Sequence, residues 1–87
     1  MLLIRYTAKF IQIYKGLEPA LKEEVKEKIL FFQDAKNHEI LKVHKLHGRF
    51  KTCYSFSVNY KIRIIFKYEN KTAVNLLYVG NHDGVYT

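Results

Sequence analysis

The feature that most constrains this chain is a change of hydrophobic period near residue 52. Phe10, Tyr14 and Leu17 are spaced four and three apart, and Leu21, Val25, Ile29 and Phe32 keep the same rhythm, so each set lies on one face of a helix. Beyond residue 52 the period becomes two. Tyr54, Phe56 and Val58 alternate with Ser55 and Ser57, and Ile62, Ile64, Phe66 and Tyr68 alternate with Lys61, Arg63, Ile65 and Lys67. A helix with an apolar stripe and a sheet with an apolar face must bury them against one another, which predicts a two-layer domain.

Local signals set the boundaries. Thr7 is placed to cap a first helix, Gly16 interrupts it, and Glu18-Pro19 opens a second, because a first-turn proline gives up no needed N–H. The second helix is expected to end between Asp34 and Asn37, with Glu18–Lys22 and Glu24–Lys28 as favourable pairs on its outer side. So short a connection predicts an antiparallel helical hairpin. The opening LLIRY is continuously apolar and is expected to lie inside the sheet. TAVNLLYV is apolar on both sides except at Thr72 and Asn75, the pattern of a central strand. Asn59-Tyr60 and Glu69-Asn70-Lys71 are hairpin-sized links. The expected fold is therefore α+β and two-layered: an N-terminal helical hairpin packed on a small, mainly antiparallel twisted sheet, in one domain over residues 1–87.

Charge then narrows the function. The chain is formally +7, and the charge is uneven. Residues 1–34 carry six basic and five acidic groups, a net of +1, whereas residues 35–87 carry nine and three, a net of +6. Charge concentrated in one part suits a polyanion or an acidic protein, beside the plainer reading of a solvated face. A single cysteine, Cys53, forms no internal disulfide and fits a cytoplasmic chain. No apolar run approaches the ~18 residues of a membrane span, and in MLLIRY the charge follows the apolar run, so neither a membrane partner nor a signal peptide is expected.

Three places carry candidate chemistry. Between helices and strands, NHEILKVHKLHGRFK holds four Lys or Arg, three His and one Glu. Lys42, His44 and Lys45 are too close to share a strand face and suggest a basic band around an edge, continued by His47, Arg49 and Lys51. His44 and His47 have metal-ligand spacing, but no cysteine matches them and Glu39 is the local carboxylate, so a phosphate-binding rim fits the charge better and no metal or cofactor is expected. Arg63 lies on a strand, where a guanidinium fork is held rigidly enough to meet phosphate oxygens; a surface arginine on a solvated face is the plain alternative. In the ending YVGNHDGVYT, Asn81 and Asp83 are turn formers, His82 exchanges a proton near neutrality, and Tyr86 can stack on a base.

LKVHKLHGRFK, YSFSVNYKIRIIF and LLYVGNHDGVY, in that order and on that layout, resemble the RelE/ParE superfamily of bacterial toxins from toxin–antitoxin pairs. The resemblance covers nearly the whole chain. It implies a toxin that is a metal-independent, ribosome-dependent endoribonuclease, cleaving mRNA in the A site of the 70S ribosome, with a cognate antitoxin as its protein partner. The family's strand arginine, C-terminal histidine and following aromatic fall on Arg63, His82 and Tyr86. A histidine used in one branch falls on His44. Lysines used in another lie near Lys42, Lys45 and Lys51, with His47 and Arg49 beside them. Glu39 stands about one residue out of register for a branch with a carboxylate there, and the histidine some relatives carry near positions 57 and 58 is absent. The resemblance implies Arg63 as the group stabilising phosphate charge, His82 as acid or phosphate clamp, His44 as base and Tyr86 as the nucleotide-orienting aromatic. It also implies the apolar surface of the two helices as a second dock for the antitoxin. A ParE-like inhibitor of DNA gyrase, or a non-catalytic antitoxin-binding protein, are the alternatives on the same fold.

Overall fold

Thr7 shows how the chain is pinned at its start. Its Oγ1 accepts the N–H of Phe10 at 3.1 Å and donates to the Leu76 carbonyl at 3.0 Å, so one side chain caps a helix and ties it to a strand distant in sequence. The computed structural model describes residues 1–48 and 51–81. The strand before Thr7 is β1 (Leu3–Tyr6). The helix it caps is α1 (Ala8–Lys15), closed by Gly16, whose N–H returns to the Ile13 carbonyl at 3.0 Å. Helix α2 (Pro19–Phe32) begins at the expected proline and buries Val25, Ile29 and Phe32. It stops short of the expected end, because Asp34 turns to extended backbone and its carboxylate accepts the Lys36 N–H at 3.1 Å, capping a separate 3-10 turn at Ala35–Asn37.

The outer side of α2 pairs differently from the i,i+4 expectation. Glu23 and Lys26 approach to 3.7 Å, both well exposed, which contributes little in water. Glu24 accepts a hydrogen bond from the Asn59 amide at 2.8 Å and so ties the helix to the strand layer.

The described strands form one five-stranded sheet in the order β1-β5-β4-β3-β2, with β2 (His44–Lys45), β3 (Tyr54–Ser57), β4 (Ile62–Asn70) and β5 (Ala73–Asn81). β1 runs parallel to β5 and the remaining pairs are antiparallel. The α+β, two-layer expectation holds, with β5 inside the sheet as expected. Two expectations are corrected. β1 is an edge strand, not an interior one: its apolar run borders a groove between β1, α1 and α2 instead of a second sheet neighbour. And the basic segment supplies a short fifth strand, β2, which two paired residues are too few to announce by periodicity.

That groove has a volume of about 550 Å³ and is apolar, lined by Leu3, Tyr6, Ile11, Tyr14 and Leu30 among others. Beneath the helices the core is aromatic. Phe32 stacks on Phe56 at 4.2 Å and meets Phe66 edge-on at 4.8 Å, with Ile64, Val74, Leu76 and Val79 around them. Tyr68 extends the cluster, edge-on to Tyr54 at 5.1 Å. Burial, and then the neighbouring Tyr54, push the Tyr68 phenol above its ordinary pKa.

Two bulges break the β4–β5 ladder. Leu77 is the extra residue on β5, since Ile65 pairs with Tyr78 and Phe66 with Leu76; Glu69 is the extra residue on β4. The second bulge lets Glu69 reach Arg5 of β1 at 3.0 Å. The first puts Leu77 and Tyr78 together on the face away from the helices, against Leu46, Cys53 and Ile65.

Thr7→Ala removes a cap and a strand tie together, and is expected to lower stability by roughly 1–2 kcal/mol in urea unfolding. Because the folded Tyr68 releases its proton later than the unfolded one, the stability tied to this phenol is fully present below its unfolded pKa and is lost as pH rises through the raised folded one. Tyr68→Phe is expected to flatten that fall in urea midpoints measured from pH 9 to 11.

Candidate nucleic-acid interface

The register of the sheet decides which polar residues share a surface. Paired residues point to the same side, so the pairs His44–Ser55, Ser55–Ile65 and Ile65–Tyr78 form one row across four strands. The pairs Ser57–Arg63 and Arg63–Gly80 form the adjacent row. Both rows lie on the side away from the helices, because the intervening Phe56, Ile64 and Val79 are in the helix-facing core.

Arg63 is therefore half-buried on a rigid central strand, and its Nη1 donates to the Ser57 hydroxyl at 2.8 Å. That bond aims the guanidinium, a fork of donors matched to anion oxygens, along the row. His44 shares the face, two strands and one row away, a Cα separation of ~12 Å from strand spacing and rise. Its Nδ1 lies 2.8 Å from the Lys42 carbonyl. A carbonyl only accepts, so in the neutral ring Nδ1 carries the hydrogen and Nε2 carries the lone pair, the tautomer a general base needs.

The turn before His44 explains why that carbonyl is there. Val43 N–H bonds the His38 carbonyl at 2.9 Å and Lys42 N–H bonds the Glu39 carbonyl at 3.1 Å, with Lys42 at φ 59°. This is a Schellman turn with a lysine in the left-handed position that usually holds glycine. His38 belongs to the same scaffold: its ring stacks on Phe32 at 4.7 Å and its Nε2 meets the Phe32 carbonyl at 2.8 Å.

After β2 the loop is fastened to the open face. Leu46 and Cys53 are buried against Ile65, and Leu46 N–H bonds the Cys53 carbonyl at 2.9 Å. Gly48 takes φ 70°, where a side chain would be strained, and accepts the Lys51 N–H at 3.1 Å. Lys42, Lys45, His47 and Lys51 are all exposed. Lys45 pairs with Tyr54 and so is on the helix-facing side of the edge strand, opposite His44. His82 and Tyr86, with Arg49, lie outside the described residues. The described part of β5 ends at Asn81, paired with Ile62 and so next to the pair made by Arg63 and Gly80.

Ser57, Lys67 and Tyr78 belong to this face and were not singled out by sequence. Lys67 was visible in the alternation after Arg63, but Ser57 needs the strand register and Tyr78 needs the bulge. Among the described residues no group of three His, Cys, Asp or Glu side chains is arranged to hold a metal ion.

Comparison with known proteins agrees with this architecture. The family described as the RelE-like toxin of the type II toxin–antitoxin system HigB matches residues 10–82. No curated protein sequence matches the chain. Among solved structures, YafQ from E. coli is similar with a TM-score of 0.73 at 19% identity, covering 100% of both chains. The toxin–antitoxin complex RelBE2 from Mycobacterium tuberculosis gives 0.72 at 19% identity, covering 93% of this chain and 98% of that one. The YoeB–YefM complex from Staphylococcus aureus gives 0.72 at 17% identity, covering 94% and 98%. At these identities the likeness is one of fold.

Lys42→Gly relieves the left-handed strain while removing one charge. It is expected to raise stability by a few tenths to about 1 kcal/mol in urea unfolding and to weaken binding of single-stranded RNA at low salt.

Proposed function

The chain belongs to the HigB-like family of RelE-like toxins of type II toxin–antitoxin systems, and from that premise we propose that it is an endoribonuclease that cleaves messenger RNA on the ribosome. The observation that carries the reading is the placement of Arg63 and His44 on one open sheet face, with a basic loop fastened beside them.

In this reading the 2′-hydroxyl of a nucleotide attacks the adjacent phosphorus while His44 takes its proton through Nε2. The P–O5′ bond breaks, a 2′,3′-cyclic phosphate forms, and the 5′-oxygen leaves with a proton from His82. Arg63, with Arg49 assisting, offsets the negative charge gathering on the phosphate; Lys45, on the other side of the edge strand, does not reach it. Tyr86 stacks on and orients the nucleotide. Lys42, His47 and Lys51 hold the RNA backbone and carry no sequence preference. In this reading the ribosome supplies much of the substrate positioning.

The protein partner in this reading is an acidic antitoxin. The net charge of +6 over residues 35–87 suits one, and the apolar groove between β1, α1 and α2 offers it a second seat.

The experiment is cleavage of a defined message on purified ribosomes, followed by primer extension. The wild type is expected to give stops inside codons, and Arg63→Ala and His82→Ala to lower cleavage at least a hundredfold, in line with loss of a charge-stabilising or acid group. A message with 2′-deoxy substitution at the cleaved nucleotide is expected to stay intact. A message left intact by the wild type, together with failed DNA supercoiling, would replace this reading with gyrase inhibition; failure of neither process would leave a protein that only binds its antitoxin.

A further inference from the structure

Gly80 is opposite Arg63, and its missing side chain is occupied. A Cβ added there would come within 2.7 Å of Tyr78 Cε1 and 3.3 Å of the Tyr78 hydroxyl oxygen. The Tyr78 ring thus lies flat along β5 over Gly80 instead of standing off the sheet. It comes to this side because the Leu77 bulge shifts the alternation, so that Leu77 and Tyr78 both leave the helix-facing core. The ring's inner surface packs with Ile65, Leu46 and Cys53. Its hydroxyl end points into the row of Arg63. Cross-strand Cβ positions are ~5 Å apart, so the hydroxyl lies no more than ~8 Å from the Arg63 Cβ, within range of that long side chain. Tyr78 is half-buried.

We propose that Tyr78 is a further RNA-contacting residue, whose phenol donates a hydrogen bond to the phosphate group that Arg63 receives. This rests on the endoribonuclease reading above. Gly80 has the supporting role of leaving the ring room to lie down. A ring that only covered Leu46 and Cys53 would have no use for its hydroxyl, and would not require the next alternate position to lack a side chain. The donor set for one phosphate would then be the Arg63 guanidinium and the Tyr78 hydroxyl, with Ser57 orienting the guanidinium from the other side. A neutral donor next to a fixed cation adds direction to the charge and costs little reorganisation when the phosphate becomes more negative.

The test uses the full chain in the ribosome assay, with Tyr78→Phe, Gly80→Ala, Tyr78→Ala and the Tyr78→Ala/Gly80→Ala double variant. Loss of a hydrogen bond to a charged group predicts a fall in kcat/KM on the order of ten- to hundredfold for Tyr78→Phe, expressed mainly in kcat. Gly80 has no positive φ that would strain alanine, so Gly80→Ala should keep its thermal unfolding temperature while losing activity to a similar extent, because the ring must swing away. In the Tyr78→Ala background the added Gly80→Ala should cost nothing more, the double-mutant signature of action through one ring. Wild-type cleavage with Tyr78→Phe within about twofold of it would overturn the assignment and leave the nuclease reading standing. So would a Gly80→Ala loss that persists in full without the tyrosine. Absence of cleavage by the wild type would overturn both.

Discussion

Phe32 is the contact on which the rest of the structure depends. It is the last residue of α2, fully buried, with Phe56 stacked on it at 4.2 Å, Phe66 edge-on at 4.8 Å and the His38 ring at 4.7 Å. One ring therefore joins the helix layer, two strands and the segment that leads to the basic loop. Such aromatic contacts add to the burial term, which by itself is of order 1.5–3 kcal/mol for a phenylalanine. The consequence for function is positional. His38 is fixed to the Phe32 ring and carbonyl, the Schellman turn follows it directly, and that turn sets the carbonyl which selects the His44 tautomer. The core thus reaches a candidate catalytic group through one short run of chain.

The sheet divides labour between its faces. The helix-covered face is nearly all apolar, and its burial supplies the stability of the fold. Among the described residues the other face carries a small apolar patch, Leu46, Cys53 and Ile65 with Leu77 and Tyr78 packed on it, flanked by Ser57, Arg63 and His44. That patch is large enough to hold down a loop of lysines and histidines, and small enough to leave the surrounding face to polar groups. Placing charged groups on strands and not on loops gives them fixed separations, which a reaction at a single phosphate requires.

Much of this was legible in the sequence. The change of period gave both layers, Thr7 and Pro19 gave the helix starts, and Arg63 stood out as a cation on a strand. The misreadings have physical causes. LLIRY looked like an interior strand because an edge strand beside an apolar groove carries the same composition. The pairs Glu18–Lys22 and Glu24–Lys28 obey helix spacing, yet Glu24 finds the Asn59 amide, a partner that only the folded chain brings near. Strand β2 is two residues long, and periodicity cannot be read from two residues.

By itself the sequence determined the two-layer class, the crowding of positive charge into its second part and the residue types available for chemistry, because period and composition are local properties of the chain. The tertiary structure alone decided which of those residues meet. Register set Ser57 beside Arg63, a one-residue bulge turned Tyr78 out of the core and over Gly80, and a left-handed lysine fixed the orientation of His44. Each is a matter of pairing between distant segments, and a single-residue slip, which leaves composition untouched, sends a side chain to the opposite face of a sheet.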